Sequence, residues 1–356
     1  MRVLVACAVH DPRDARIAER EIGALLAAGH DVTQVGPFAA YGATPTAGVR
    51  AVDVPRAFGR RRLRALRAMR AVLREEAPDH DVVILHSVEA VAAATGMRHP
   101  AVVWDVHEDT AASLSLKPWL PGLLRRPTAS VAHAGESLVE RRRRLLLAEA
   151  AYADRFGGRH PVVPNTPVVP EVVKPTERGR AVYVGSVTVP RGGDDLIALA
   201  QRLDGVRLEV VGPASGELAD RLRAAERRSV LEWAGFVPND RALARLEGAT
   251  AGLSLLHDEA NYRHSMPTKL LESLARGVPF VSTPLPLAVD LAERSGGGLI
   301  VPFGDIDAAA EAVRALNDDD GRRQAMAEAG RRWVREHANW SVDGLEFVRL
   351  LESWSR

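Results

Sequence analysis

Residues 251–283 read AGLSLLHDEANYRHSMPTKLLESLARGVPFVST, and the fold class can be inferred from them. The first part, Ala251–Leu256, is an apolar run with the length of a buried strand. A helix is predicted over Pro267–Arg276, because proline suits a first turn and Gly277 suits the position after the last turn. A second strand follows at Pro279–Thr283. This order predicts a parallel βαβ unit.

The same alternation of strands and helices runs through the rest of the chain. Further strands are predicted at Arg2–Ala8, Asp31–Val35, Asp81–Leu85, Ala101–Trp104, Arg144–Ala148, Ala181–Val184, Arg207–Val211, Val230–Trp233 and Leu299–Val301. Further helices are predicted at Arg13–Ala28, Arg60–Glu76, Asp194–Leu203, Gly216–Glu226, Asp240–Glu247, Leu287–Arg294 and Ala308–Leu316, and residues 319–354 are helical without a strand.

The length of 356 residues exceeds what one hydrophobic core normally supports. Five prolines between Pro161 and Pro175 indicate a linker. The prediction is an α/β protein of two doubly wound, Rossmann-like domains, residues 1–165 and 166–339. A C-terminal helix, residues 340–356, is expected to pack back on the first domain. Ligands of such sheets bind beyond the carboxyl ends of the strands, so a site is expected in the cleft between the domains.

Composition narrows the function classes. The 47 basic and 46 acidic residues give a net charge of +1, which does not predict a nucleic-acid partner. The single cysteine, Cys7, excludes a disulfide within the chain and favours the cytoplasm. The apolar run Val3–Val9 is too short to span a bilayer. Motifs of P-loop, dinucleotide-binding, serine-hydrolase and zinc-peptidase enzymes are absent, and the eleven histidines show no metal-ligand spacing.

The helix within the quoted stretch has the pattern of an anion site. Ser265 is a candidate N-cap, and the free N–H groups of the first turn attract negative charge. Lys269 adds a cation at the same end. Glu272, one turn further, can accept two hydroxyl hydrogen bonds, as a ribose diol requires. A capped amphipathic helix with an ion pair between Lys269 and Glu272 is the alternative interpretation.

The segment from Pro267 to Pro279 resembles the donor-binding motif of glycosyltransferase family 4, P-(S/T)-K-x-x-E-x-x-A-x-G-x-P. Other segments resemble the same family in chain order. They are the loop and helix from Asp11 to Val32, the strand-end motif Val103-Trp-Asp-Val-His-Glu-Asp, the element Val163-Pro-Asn, the segment Val182-Tyr-Val-Gly-Ser, and Arg191-Gly192. The resemblance implies the GT-B fold, with the nucleotide-sugar donor on the C-terminal domain and the acceptor mainly on the N-terminal one.

By this resemblance the site residues fall into three groups. The catalytic residues are His107, Arg191 and Lys269: His107 would lie beside the transferred sugar, and the two cations would hold the leaving diphosphate. The donor-binding residues are Gly185, Ser186, Arg191, His264, Thr268, Lys269 and Glu272. The acceptor-side residues are Asp11, Arg13, Asp105 and Glu108. The chain departs from the family at Ser186, where a second basic residue is common, and at His264, where a glutamate is common.

The implied reaction is sugar transfer with retained anomeric configuration, without a cofactor and without a metal ion. The acceptor hydroxyl could belong to a glycan, a lipid or a small-molecule natural product. Three alternatives remain open: a nucleotide-sugar epimerase of the same fold, a non-catalytic partner subunit, and a membrane-binding protein. The last rests on the helix Gly59–Glu76, whose Arg60, Arg64, Arg67 and Arg74 share one face. That face is either solvated or in contact with anionic lipid at the inner face of the membrane.

Overall fold

The computed structural model describes residues 1–107 and 122–355, which form two compact units. The first unit comprises Met1–Asn165 with Ser341–Arg356, and the second comprises Thr166–Trp340. Each unit holds one six-stranded sheet in which all neighbouring strands are parallel. The predicted α/β class and the two doubly wound sheets are confirmed.

The first sheet has the strand order β3-β2-β1-β4-β5-β6. Its strands are β1 (Arg2–Ala6), β2 (Asp31–Gly36), β3 (Arg50–Asp53), β4 (Val82–Leu85), β5 (Val102–Val106) and β6 (Arg144–Leu147). The central strand β4 reads VVIL and is buried throughout, as a strand covered on both faces by helices must be. The strand order reverses between β1 and β4, so a crevice for a ligand is expected beyond their carboxyl ends.

The second sheet has the order β12-β11-β10-β7-β8-β9. Its strands are β7 (Arg180–Val184), β8 (Arg207–Val211), β9 (Glu232–Gly235), β10 (Ala251–Ser254), β11 (Phe280–Ser282) and β12 (Gly298–Ile300). Here the order reverses between β7 and β10. Gly185 lies in the loop after β7, and Lys269 lies in the first turn of the helix after β10, so two of the predicted donor residues are at the switch point of this sheet.

Helices connect the strands in both units. In the first unit a π-helical segment, Ala15–Ile22, continues into α1 (Gly23–Ala27), and it is followed by α2 (Phe38–Tyr41), α3 (Arg62–Glu76), α4 (Val88–Ala93) and α5 (Gly122–Glu140). The second unit contains α6 (Gly193–Ala200), α7 (Gly216–Arg227), α8 (Asn239–Ala244), α9 (Thr268–Ala275), α10 (Pro286–Ser295), α11 (Ile306–Asp318) and α12 (Asp320–His337). The last helix, α13 (Trp340–Trp354), belongs to the first unit from Ser341 onward, and its Glu352 Oε1 lies 3.1 Å from His30 Nε2. Among the helices described, none has the length and apolar character needed to cross a bilayer.

Several elements differ from the sequence-based expectations. Strand β3 was not predicted, because its sequence RAVD is short and its residues are only partly buried at the sheet edge. The short helices α2 and α4 and the helix α5 were not predicted either. The helix predicted at Arg13–Ala28 begins at Ala15 and is π-helical over Ala15–Ile22, with Asp14 as N-cap accepting from the backbone N–H of Arg16 and Ile17.

Candidate active site

Lys269 lies in the first turn of α9, directly after the loop that leaves β10. The helix begins at Thr268 with Pro267 as N-cap, and no side chain caps its first turn. The prediction of Ser265 as N-cap is therefore wrong, because the chain between Ser265 and Pro267 has not yet entered the helix. The absence of a capping side chain leaves the first-turn N–H groups available to an anion. Gly277 follows the helix with φ of 66°, as predicted for its C-terminal end.

The ammonium group of Lys269 is buried, and within the described part of the chain its Nζ has no hydrogen-bond partner. It lies 3.9 Å from the centre of the Tyr183 ring, an arrangement in which the ring face attracts the cation. Burial, and then the charge of Arg191, hold the pKa of Lys269 well below its ordinary value. A buried cation next to a second cation is unfavourable in the free protein, and an anion would relieve that cost.

Two glycines bring the backbone close to this ammonium group. Gly185 follows β7 with φ of 132°, and a methyl group built on it would lie 3.6 Å from Lys269 Nζ. Gly212 follows β8 with φ of 149°, and a methyl group there would lie 1.9 Å from the carbonyl oxygen of Gly185. Neither position accommodates a larger residue without strain. The ends of β7 and β8 can therefore approach each other beside Lys269.

The remaining predicted donor residues lie around the same switch point. Arg191 ends a short 3-10 turn, and Gly192 with φ of 80° leads from it into α6. Ser186 is exposed, and its carbonyl oxygen accepts a hydrogen bond of 2.8 Å from the Tyr183 hydroxyl. Thr268 is half-buried, and His264 is exposed in the loop between β10 and α9. Their contacts with a donor stay predictions.

Glu272 is buried, and its Oε2 accepts a hydrogen bond of 2.8 Å from Arg276, the C-cap residue of α9, four residues later. The alternative interpretation, an ion pair between Lys269 and Glu272, is wrong: the carboxylate bonds to Arg276 and Nζ has no hydrogen-bond partner among the described residues. The role of Glu272 toward a ribose stays a prediction.

In the first unit, three histidines follow three adjacent strands. His10 comes after β1, His86 after β4 and His107 after β5, so all three lie at the carboxyl edge of the sheet where the strand order reverses. Asp105, on β5, connects two of them. Its Oδ2 accepts hydrogen bonds from Nδ1 of His86 at 3.0 Å and from Nδ1 of His107 at 3.1 Å.

A buried arginine and a second carboxylate complete the cluster. Arg16 donates to both oxygens of Asp105, from Nε at 2.9 Å and Nη2 at 2.7 Å, and lies 3.1 Å from Glu21 Oε1. Burial raises the pKa of Glu21 well above its ordinary value, and the Asp105 charge adds to that shift. Burial alone would raise the pKa of Asp105, but the Arg16 charge and hydrogen bonds from Arg16 and both imidazoles hold it well below its ordinary value.

The two histidines bonded to Asp105 have opposite pKa shifts. Burial lowers the pKa of His86, and the hydrogen bond to Asp105 only partly offsets this. Burial also opposes protonation of His107, but the hydrogen bond and charge of Asp105 outweigh it and raise the pKa of His107. His107 Nε2 lies 3.1 Å from His10 Nε2, so one proton can be shared between these two rings.

His86, Asp105 and His107 are also the group in the described residues that has the composition and spacing to hold a metal ion. Arg16 already supplies the positive charge that Asp105 requires, through two hydrogen bonds. Both imidazoles direct Nδ1 at the same oxygen, Oδ2, at hydrogen-bond distance. This is the geometry of a hydrogen-bonded network around a carboxylate.

The predicted acceptor-side residues have different surroundings. Asp11 and Arg13 form an ion pair of 2.8 Å in the loop after β1, partly exposed. The carboxylate of Asp105 lies inside the unit, occupied by Arg16 and the two histidines, so its contact with an acceptor stays a prediction. Glu108 lies outside the described residues.

Sequence reasoning singled out His107 but not its partners His10, Arg16, Glu21 and His86. The available signal was position, since His10 and His86 each follow a predicted strand at the edge where ligands of doubly wound sheets bind. Tyr183, whose ring covers the Lys269 ammonium group, was also missed, because a tyrosine within a strand has the pattern of an ordinary core residue.

Residues 162–333 match the family model described as glycosyl transferases group 1. A phosphatidyl-myo-inositol mannosyltransferase of Mycobacterium leprae is 25% identical over 333 residues, which are 85% of this chain and 82% of that protein. A GDP-mannose-dependent alpha-(1-6)-phosphatidylinositol monomannoside mannosyltransferase of Mycobacterium tuberculosis is 30% identical over 178 residues, 43% of this chain and 42% of that protein.

Solved structures agree on the fold. A sucrose-phosphate synthase from Thermosynechococcus elongatus superposes with a TM-score of 0.76 at 15% identity, covering 99% of this chain and 98% of that one. HepE of Anabaena, solved with UDP and glucose, superposes with a TM-score of 0.72 at 15% identity, covering 99% and 100%. Residues 162–333 thus match the group 1 glycosyl transferases, and the chain has the GT-B fold of the solved structures that superpose on it.

Proposed function

We propose that the protein transfers a sugar from a nucleoside-diphosphate sugar to an acceptor hydroxyl with retained anomeric configuration. The observation that carries the proposal is the buried ammonium group of Lys269. It lacks a hydrogen-bond partner among the described residues and lies beside Gly185, within the field of Arg191 and at the uncapped start of α9. Such a set of groups suits a diphosphate, which carries enough negative charge to satisfy all of them.

The same groups suit the departure of the diphosphate during transfer. When the bond between the anomeric carbon and the phosphate oxygen breaks, negative charge grows on that oxygen, and Lys269, Arg191 and the helix start stabilise it. The acceptor oxygen bonds to the anomeric carbon on the same face, and its proton passes to the departing phosphate oxygen. Since protein cations carry this charge, we propose that the reaction needs no divalent metal and survives excess EDTA. Loss of transfer in EDTA that Mg²⁺ or Mn²⁺ restores would contradict this.

Calorimetry with UDP, GDP and dTDP tests the site. Lys269→Ala should weaken binding by about 1.5–3 kcal/mol because a charge-assisted contact is lost. Lys269→Arg should recover only part of it, since a larger planar group replaces a compact charge. Lys174→Ala is the matched control, because Lys174 is exposed and lies far along the chain from α9. Equal affinity of wild type and Lys269→Ala for the nucleotide that binds would contradict the assignment.

The relatives suggest which donors and acceptors to try first. Two of them are named as mannosyltransferases of phosphatidylinositol lipids, one of them GDP-mannose-dependent, and HepE was solved with UDP and glucose. GDP-mannose and UDP-glucose are therefore the first donors for a screen with lipid, glycan and small-molecule acceptors. An epimerase would convert the donor without an acceptor, and a non-catalytic partner subunit would bind nucleotide without turnover, so the same screen separates these alternatives.

A lipid acceptor is supported by a surface of the first unit that we call the basic apolar patch, formed by Phe58, Arg60, Leu63, Arg64 and Arg67. Phe58 is 68% exposed and Leu63 67% exposed, both unusual for large apolar side chains. The three arginines are exposed around them, and so is the fourth predicted lipid-facing arginine, Arg74, further along α3. We propose that the protein works in the cytoplasm and that this patch contacts anionic lipid, with the aromatic and aliphatic side chains entering the interface.

Sedimentation with vesicles of neutral lipid, with and without phosphatidylglycerol, tests the patch. Reversing Arg60 and Arg64 to glutamate should weaken binding to the anionic vesicles by about 1 kcal/mol or more per charge. The control reverses the exposed Arg227 and Arg228 of the second unit, which changes the net charge equally. Equal sedimentation of the two double variants would show that α3 is an ordinary solvated helix.

A further inference from the structure

We propose that Glu21 and His86 are positioning residues that act through Asp105 to fix the orientation and tautomer of His107. His10 exchanges one proton with Nε2 of His107, the nitrogen that faces the sugar. The part that concerns the sugar rests on the proposed function. The hydrogen-bond arrangement itself does not, because it follows from contacts within the first unit.

The first step concerns the protons on the two histidines bonded to Asp105. An ionised carboxylate only accepts hydrogen bonds. Oδ2 of Asp105 faces Nδ1 of His86 at 3.0 Å and Nδ1 of His107 at 3.1 Å, so each ring must carry a proton on Nδ1. Arg16 anchors the same carboxylate with two further hydrogen bonds and prevents its rotation. Asp105 therefore determines which nitrogen of His107 remains available.

The second step concerns Glu21. His86 is fully buried, and with its proton on Nδ1 its Nε2 carries a lone pair and lies 3.3 Å from Glu21 Oε2. The two atoms are close but do not form a hydrogen bond as the side chains stand, and neither bonds to another described residue. An ionised Glu21 would place two lone pairs against each other, whereas a protonated Glu21 donates its O–H to His86 Nε2. A protonated Glu21 also leaves no unpaired charge in the buried cluster, because Arg16 balances Asp105 and both His86 and Glu21 are neutral.

The third step concerns His10. Because Nδ1 of His107 donates to Asp105, Nε2 of a neutral His107 must accept, and Nε2 of His10, 3.1 Å away, must donate. Protonation of His107 reverses the direction of this hydrogen bond. The groups that act on the charge of His107 are Asp105 and Asp14, which favour it, and Arg16, which opposes it. The rings of His86 and His10 lie 5.7 Å and 4.9 Å from that of His107. A sugar hydroxyl that displaces His10 can donate to the same nitrogen.

Two substitutions at Glu21 provide the test. Glu21→Gln keeps a neutral donor toward His86 and an acceptor toward Arg16, so we expect turnover within about threefold of wild type. Glu21→Leu removes both contacts and should lower kcat at least tenfold, with KM for the donor and nucleotide affinity nearly unchanged. Glu75→Gln, exposed on α3, is the control for the substitution itself. A Glu21→Gln variant as impaired as Glu21→Leu would overturn the assignment, because it would mean that an ionised carboxylate is needed.

Nitrogen-15 NMR of histidine-labelled protein provides a readout that needs no substrate and so stands apart from the proposed function. His86 and His107, assigned by single His→Gln variants, should both show the Nδ1–H tautomer in wild type and in Glu21→Gln. His10→Asn should move the titration midpoint of His107, whereas substitution of the exposed His337 should not. An Nε2–H tautomer at His86 would overturn the proposal, even if Glu21→Leu failed to fold.

Discussion

At the scale of single residues, burial of the Lys269 ammonium group destabilises the free protein, and the proposed diphosphate would offset that cost on binding. Its ammonium group is buried over the Tyr183 ring and close to Arg191, so the charged form is disfavoured. The folded pKa lies below the unfolded one, and the unfolded chain therefore binds more protons between the two values. The contribution of Lys269 to stability rises with pH across that window and falls as pH drops toward the folded pKa. A bound diphosphate would reverse the shift, since an adjacent negative charge favours the ammonium form.

This argument predicts a pH dependence of nucleotide affinity. Above about pH 7 the phosphates of a nucleoside-diphosphate sugar are fully ionised, and comparison with Lys269→Arg corrects for the base, which loses a ring N–H proton toward the upper end of the range. As pH rises from the pKa of free Lys269 toward its pKa in the complex, binding must take up a proton, and Kd should rise by up to about tenfold per pH unit. Calorimetry between pH 7 and pH 10 measures the slope. Lys269→Arg should give a flatter profile, because a guanidinium stays charged, and an equally steep profile would point to another group.

At the scale of elements, the proposed donor site depends on how closely two strand ends approach each other. Gly185 and Gly212 follow the neighbouring strands β7 and β8, both with positive φ. A Cβ on Gly212 would lie 1.9 Å from the carbonyl oxygen of Gly185, which is backbone and cannot turn aside. The strand ends, and with them the backbone beside Lys269, would have to separate.

Gly212→Ala should therefore destabilise the protein by more than about 2 kcal/mol and weaken nucleotide binding in the fraction that folds. Gly205→Ala is the matched control, because Gly205 also has a positive φ of 71° but would meet nothing within 4 Å. It should cost about 1 kcal/mol from backbone strain alone and leave nucleotide affinity unchanged. Thermal unfolding and calorimetry measure both effects. Similar results for the two variants would show that the close approach beside Lys269 does not matter for the site.

At the scale of the whole molecule, the two units provide different chemistry. The second unit concentrates positive charge at the switch point of its sheet, through Lys269, Arg191 and the start of α9. The first unit holds a hydrogen-bonded network of histidines, which can donate or accept hydrogen bonds, at the switch point of its own sheet. The cations of the second unit suit a diphosphate, and the histidines of the first unit suit hydroxyl groups. Sugar transfer requires both kinds of recognition.

The stereochemical outcome of the reaction tests this view of the molecule. The positions that match the family offer no clear nucleophilic carboxylate, since His264 stands where the family often has a glutamate, and the proposed front-face route predicts retention. The anomeric proton coupling of the product, measured by NMR from a donor of known configuration, decides the outcome. His107→Ala should reduce turnover sharply and leave nucleotide affinity nearly unchanged. An inverted product would contradict the mechanism, and a fully active His107→Ala would remove His107 from the site.

The sequence by itself was sufficient to predict the features that depend on residues close together in the chain. The alternation of apolar runs and helical patterns predicted the doubly wound α/β fold, because strand and helix periodicities are local. The segment Pro267–Pro279 carried the family resemblance, and it led to Lys269 because cation, helix start and terminal glycine lie within thirteen residues. Local patterns did not predict β3, whose pairing with β2 depends on a partner strand and not on its own sequence.

Only the tertiary structure decided which side chains meet. His10 and His107 are 97 residues apart, and Arg16 and Asp105 are 89 residues apart, yet each pair is in hydrogen-bond contact. Glu272 turned out to bond to Arg276, while Lys269 lies against Tyr183, more than eighty residues earlier. The reason is physical. A parallel sheet brings the carboxyl ends of distant strands to one edge, so the neighbours of a strand-end residue are set by strand order, which no local pattern in the sequence contains.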